Sequence, residues 1–217
     1  MKLMKYLLPA VVLPGVLFFS GCTASVEVRA RSDGSSSVRY DAAFGTAFVE
    51  VMKSLSDAGT GPLFDTQTMT EQFQKAGIPD AKVSSQNDAS LAVSALLSSG
   101  AKDPVSASGC ISGTARSVTL TLSPEKLSAL YASLPEAVQS YIDLFMAPVF
   151  GGEPMTAQDY VDLVASVYGK PLSGEIAAAN VRITLYGPDG SGVKKTATVP
   201  LTDILTATKP LTYAVSW

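Results

Sequence analysis

Two thiols, no histidine and a scatter of carboxylates set the chemistry open to this chain. Cys110 lies in the small-residue stretch Ser106-Ala107-Ser108-Gly109-Cys110-Ile111-Ser112-Gly113. As a nucleophile it would need a base or a cationic neighbour to lower its pKa. With no imidazole anywhere in the chain, the plainer reading is a buried, idle cysteine. The same absence removes a Ser-His-Asp triad and an HExxH zinc site. Two cysteines are too few for a Cys₄ zinc or iron–sulfur site. No GxxxxGK[ST] or GxGxxG loop is present. Ser123 and Lys126 stand three residues apart, but Ser123-Pro124-Glu125 reads as a helix start whose hydroxyl caps backbone. Asp143, Glu153, Asp159, Asp162 and Glu175 fall within one helical region. Paired acids held ~5 to 10 Å apart can hydrolyse glycosides, and oxygen ligands can hold calcium. Asp159 and Asp162, however, open a helix, where the dipole favours negative charge. Their spacing lacks the acid density of a calcium loop, so solvated helix faces are expected. The sequence therefore assigns no catalytic residue, no metal ligand and no cofactor.

Cys22 has the more telling setting. Lys2 and Lys5 precede an uncharged apolar run from Tyr6 to Phe19, closed by Ser20-Gly21-Cys22. A basic start, a short apolar segment and small residues before a break make an export signal over residues 1–21. The run falls short of the ~20 residues a membrane-spanning helix needs, and Pro9 and Pro14-Gly15 would break a long helix there. Phe19-Ser20-Gly21-Cys22 resembles the lipobox of bacterial lipoproteins, in the relaxed form of spirochaete members, with Phe19 where the family usually carries Leu. The resemblance implies cleavage between Gly21 and Cys22 and a diacylglyceryl group on the Cys22 thiol. It also implies that the mature chain is lipid-anchored to a bacterial membrane in the cell envelope. Each buried CH₂ contributes ~0.8 kcal/mol, so two or three chains hold durably where one is marginal. The competing reading is ordinary secretion, with cleavage after Ala24 and Cys22 discarded.

Removing residues 1–21 leaves 196 of 217, enough for one well-buried domain or two small ones. Loss of Lys2 and Lys5 lowers the basic count from 16 to 14 against 19 acids, a mature balance of about −5. A mildly acidic chain offers no footprint for nucleic acid, and no basic run favours anionic headgroups. If Cys22 is acylated, Cys110 is the one remaining thiol and no internal disulfide forms.

The elements follow from periodicity. Ser25–Ala30 and Val38–Ala42 alternate around Asp33-Gly34 and predict a hairpin. Phe48, Val51, Met52 and Leu55 predict a helix over 46–57, and Met69 with Phe73 a second over 68–76. Val83 and alternating Leu91, Val93, Ala95 and Leu97 suggest strands, although 89–97 reads equally as helix. Residues 98–114, rich in Gly and Ser, are the candidate long loop or internal boundary. Residues 117–122 alternate as a strand. The middle is helical: Leu127, Leu130, Tyr131 and Leu134 make one stripe, and Val138, Tyr141, Ile142, Phe145, Met146 and Val149 a second. A third helix opens at Thr156 with Asp159 as capping box and carries Tyr160, Leu163, Val164, Val167 and Tyr168. Val181–Leu185 and Val193–Val199 form a C-terminal hairpin, 201–205 a helical turn and 211–217 a last strand. Hairpins at both ends with helices between predict an α+β fold, with an antiparallel sheet built from both hairpins and a central helical layer. Residues 22–217 are read as a single composite domain.

Leu144 to Met155 mixes flexible Met, bulky Phe and Gly-Pro punctuation, the ingredients of an adaptable apolar surface. Phe145, Met146, Val149, Phe150 and Met155 are the candidate contacts for an acyl chain or other apolar ligand, against the plainer reading of core packing. Two functions follow. The first is a non-enzymatic binding or assembly component of the envelope, acting through a protein partner. The alternative is a carrier of lipid or another apolar ligand between helices and sheet. The anchor followed by a Val-rich Asp-Gly-Ser hairpin is similar to the mycobacterial LppM-like lipoproteins, which implies a lipid-accommodating domain.

Overall fold

The computed structural model describes residues 22–55, 62–98, 103–134, 139 and 154–217. In chain order these form β1 (Thr23–Ala30), β2 (Ser36–Ala43), α1 (Thr46–Leu55), α2 (Thr66–Lys75), β3 (Lys82–Ser84), β4 (Ser90–Leu97), α3 (Pro104–Ala107), β5 (Ile111–Thr114), β6 (Ser117–Leu122), α4 (Pro124–Ser133), α5 (Ala157–Tyr168), α6 (Lys170–Ala178), β7 (Asn180–Tyr186), β8 (Lys194–Pro200), α7 (Leu201–Leu205) and β9 (Leu211–Ser216). The fold is α+β. Both hairpins share a six-stranded sheet of order β3-β4-β2-β1-β7-β8, and β5, β6 and β9 make a separate three-stranded antiparallel sheet.

The turns do what their sequences require. Gly34 takes φ +81° and donates its N–H to the Arg31 carbonyl at 3.1 Å. Asp33 Oδ1 accepts from the Ser35 N–H at 2.9 Å and its hydroxyl at 2.6 Å. β1 then pairs antiparallel with β2, and β7 with β8. The two hairpins meet through β1 and β7, the one parallel joint in the six-stranded sheet. That joint brings together residues far apart in sequence.

Strand alternation divides the sheet into two faces. Val28, Ala30, Ile183 and Leu185 are buried on one of them. At the β3–β4 side, Val83, Leu91 and Val93 pack against a cluster built by Phe48, Met52, Met69, Phe73, Tyr160, Val164, Leu172 and Ile176 from the helices. At the β7–β8 side, Ile183, Leu185 and Val199 join Val118, Leu120 and Val215 of the second sheet. Each such side chain contributes roughly 1.5–3 kcal/mol by leaving water. Helices and second sheet thus cover the same face.

Several elements differ from expectation. Asp65 caps α2 through Thr68 N–H at 3.0 Å, so that helix begins at Thr66. Of the ambiguous residues 89–97, Ser90–Leu97 form strand β4, because they pair with β2 on one side and β3 on the other. The stretch expected to be a loop, 98–114, contains α3 and β5. The buried Asp103 carboxylate organises it, accepting from Ser106 N–H at 2.8 Å, Ser106 hydroxyl at 2.8 Å and Ser98 N–H at 3.1 Å. Helix α6 was not anticipated: only Leu172 and Ile176 mark its buried side, and Gly169 had already closed α5. The capping box of Thr156 and Asp159 is present, but the α5 stripe splits. Tyr160 and Val164 are buried, whereas Leu163 and Val167 are 40% and 60% exposed. The second central stripe, from Val138 to Val149, lies outside the described residues.

Candidate functional site

The residues that alternate with the buried apolar ones form a second face, open except at Thr184, which is buried. By register one row runs Lys82, Ser94, Arg39, Glu27, Thr184 and Thr196 from β3 to β8. Beside it lie Leu96, Ser37, Arg29, Tyr186 and Lys194 on one flank. On the other lie Ser84, Ala92, Asp41, Ser25, Arg182 and Thr198. No residue of these rows belongs to either apolar cluster. Arg39, Lys82, Arg182 and Lys194 are exposed. The strand positions of this face place five cations against Glu27 and Asp41, on a chain whose net charge is −3.

A shallow concavity of about 490 Å³ opens on this face, with Arg29, Arg31, Arg39 and Lys82 around it and Glu27 and Asp80 among them. Arg39 is held by Asp41 on its own strand, Nε to Oδ2 at 2.6 Å and Nη2 to Oδ1 at 2.7 Å. That carboxylate raises the guanidinium pKa further. Arg29 reaches Asp189 at 3.2 Å and lies over the Tyr186 ring, 4.3 Å from its centroid. Lys194 approaches the same ring at 5.5 Å. Arg31 and Lys82 form no ion pair among the described residues.

Cys22 stands at the other end of β1, half-buried against the helical cluster. Its Sγ accepts the Gly45 N–H at 3.5 Å. Burial pushes the thiol pKa up, and the nearby Glu175 carboxylate adds to it. Glu175 itself reaches from α6 to the start of α1, accepting from the N–H groups of Ala47 at 2.9 Å and Phe48 at 3.0 Å. A Cβ on Gly45 would meet that carboxylate, which would have to shift to make room. Strand β1 begins at Thr23, directly after Cys22, and Arg29 stands seven residues on, ~23 Å along the strand.

The remaining candidates do not converge. Gly21, Phe145, Met146, Val149 and Phe150 lie outside the described residues. Met155 is half-buried and packs against the helical cluster. An apolar pocket between sheet and helices, lined by Tyr40, Phe73, Val93 and Leu97 among others, measures about 80 Å³. That is near half the ~150 Å³ of an engineered cavity that takes one benzene. Cys110 is buried, its thiol donates to the Lys126 carbonyl at 3.4 Å, and desolvation raises its pKa. Lys126 Nζ goes instead to the Gly109 carbonyl at 2.6 Å. Ser123 caps α4 by accepting the Lys126 N–H at 3.4 Å. Of the acids, Asp143 and Glu153 lie outside the described residues, Asp159 completes the α5 capping box by accepting the Thr156 N–H at 3.3 Å, Asp162 accepts from Gln158 at 2.9 Å, and Glu175 caps α1, so the solvated-face reading fails for Glu175. Among the described residues no three His, Cys, Asp or Glu are placed to hold a metal, and no helix is long and apolar enough to cross a membrane.

No family model matches the chain, and neither a curated protein nor a solved structure does. The open face was missed in the sequence although its signal was there: Glu27 and Arg29, then Arg39 and Asp41, alternate with apolar neighbours, and alternation puts them on one side of a sheet.

Proposed function

We propose that this chain is an envelope lipoprotein, anchored by acyl chains on Cys22, that works as a non-enzymatic binding or assembly component through a protein partner. The observation that carries the reading is the face of the six-stranded sheet that, among the described residues, neither the helices nor the second sheet covers. An antiparallel sheet can leave one face in water without any function. Here, though, that face gathers Arg29, Arg31, Arg39 and Lys82 with Tyr186 around a concavity, on a chain of opposite net charge. Arg and Tyr are residue types over-represented at protein interfaces.

The anchor and this face lie on the same strand. Conversion of the Cys22 thiol to a thioether removes its S–H and leaves the lone pairs that accept the Gly45 N–H. With β1 starting at Thr23, the described fold begins immediately beyond the anchor and holds the domain close to the bilayer.

The test is the intact mass of the chain extracted from bacterial membranes with detergent. The expected product begins at Cys22 and carries the mass of a diacylglyceryl group with or without an N-acyl chain, and Cys22→Ala releases the protein from the membrane. A product that keeps residues 1–21, carries no acyl group and stays in the soluble fraction contradicts the reading.

A further inference from the structure

We propose that the concavity over Arg29, Arg31, Arg39 and Lys82 docks an acidic, extended polypeptide segment of the partner. This rests on the open face being the working surface and adds the chemistry of what it takes.

The first argument is charge. Four cations surround the concavity against Glu27 and Asp80; Asp41 holds Arg39 and Asp189 holds Arg29, so Arg31 and Lys82 carry the unpaired positive charge, on a chain that as a whole is negative. An acidic segment is repelled by most of the molecule and attracted here, which selects both site and orientation. The second is availability. Arg31 and Lys82 are exposed and form no ion pair among the described residues. Arg29 is bound by Asp189, whose side chain is 91% exposed, so a ligand carboxylate competes with a weak surface contact.

The third argument separates a polypeptide from a uniformly anionic polymer or headgroup layer. Glu27 lies directly between the Arg39 and Thr184 positions, and Asp80 sits beside Lys82. Those carboxylates repel an unbroken run of negative charge but accommodate a chain that interposes neutral residues. An extended peptide presents same-side residues every ~6.6 Å, while neighbouring strands stand ~4.8 Å apart. With β4 between β2 and β3, the cation-bearing strands β1, β2 and β3 span three strand spacings, ~14 Å, close to the ~13 Å between positions i and i+4 of the peptide. Ser37 and Ser94 pave the floor between them. Their short hydroxyls allow close approach and offer hydrogen bonds. Tyr186, stacked with Arg29, supplies the aromatic and guanidinium contacts that dominate interface energetics.

The experiment titrates a fluorescently labelled peptide of alternating Glu and Ser with the detergent-extracted protein and follows anisotropy. Heparin and phosphatidylglycerol vesicles run as parallel probes. Saturable peptide binding is expected, weakened by about tenfold in the double variant Arg31→Glu/Lys82→Glu and by added salt. Ser94→Glu, on the floor of the concavity, should weaken it as well and serves if the double variant misfolds. Lys195→Glu reverses one charge, twice the change of Ser94→Glu, on the other face of β8 and should keep affinity within about twofold. Absence of saturable binding, or binding that Ser94→Glu and the double variant leave unchanged, overturns the proposal. Heparin or vesicles binding in place of the peptide, with the same sensitivity to substitution, overturns the polypeptide assignment. The mass of Cys22 is read on the same preparation. Peptide binding by an unacylated chain would retire the anchor and keep the docking site, and an acylated chain that ignores the peptide would do the reverse.

Discussion

The two faces of the six-stranded sheet are made by the same strands and differ in every physical respect. On one, Val28, Ile183 and Leu185 are lost to water beneath helices and a second sheet. On the other, Arg29, Arg182 and Tyr186 alternate with them, and none of these belongs to either apolar cluster. One face supplies the folding free energy and tolerates little change. The other is free to carry recognition, because substitutions there cost the fold little.

The sharpest test of that contrast uses neighbours on β7. Ile183→Ala should lower unfolding free energy by ~2–5 kcal/mol, since it deletes fully buried methyl groups and leaves a cavity. The urea midpoint at unchanged slope reads this directly, and a loss below the low end would mean that the covered face is loosely packed. Next comes the cap that joins α6 to α1. Glu175→Ala should cost ~1–2 kcal/mol by orphaning the Ala47 and Phe48 N–H groups. Gly45→Ala should cost no more than this, since it only shifts the end of the flexible Glu175 side chain, and a larger loss than Glu175→Ala would place the requirement at Gly45 elsewhere than in that carboxylate.

A smaller effect appears in acid. The Asp88 carboxyl is lowered by its bond to Lys53 at 2.5 Å and by the Leu63 N–H, and Asp65 by the Thr68 N–H and hydroxyl. Groups whose folded pKa is depressed stabilise above the unfolded value of ~3.9, and that stabilisation is lost as pH falls through the folded one. Stability should therefore decline below about pH 4, and Asp88→Asn should flatten part of the decline in a pH series of thermal melts. A pH profile identical in Asp88→Asn and the parent chain would exclude this source. The smallest change is the control: Arg182→Ala, one residue from Ile183 on the open face, should move stability by no more than ~0.5 kcal/mol. A loss comparable to Ile183→Ala would erase the distinction between faces.

What could be read in the sequence was what is local. Asp33-Gly34 between alternating residues marks its hairpin unaided, and Thr156 with Asp159 marks the start of α5. Residues 170–178 hid a helix because Gly174, Ser173 and Pro171 dilute the pattern to two apolar positions. Glu175 looked like a solvated acid because the N–H groups it caps are 127 and 128 residues away. The cationic face was invisible as a cluster: its members come from β1, β2, β3, β7 and β8, and the parallel β1–β7 pairing that unites the hairpins has no local signature. Alternation told which side of its own strand each Arg takes. Only the pairing shows that those sides coincide.

The central claim is that the open face is the occupied, working surface of an anchored protein. It is tested most directly by thiol accessibility at Ser94→Cys, comparing isolated envelopes with purified chain under a polar maleimide. Cys110 is buried, and on the proposed acylation Cys22 carries no free thiol, so the introduced thiol is the reactive one. Ser112→Cys, on exposed β5 of the other sheet, is the reference. The thiol at 94 should react several-fold more slowly in envelopes than after purification, while the thiol at 112 reacts alike in both. Equal reactivity at 94 in the two preparations would contradict it.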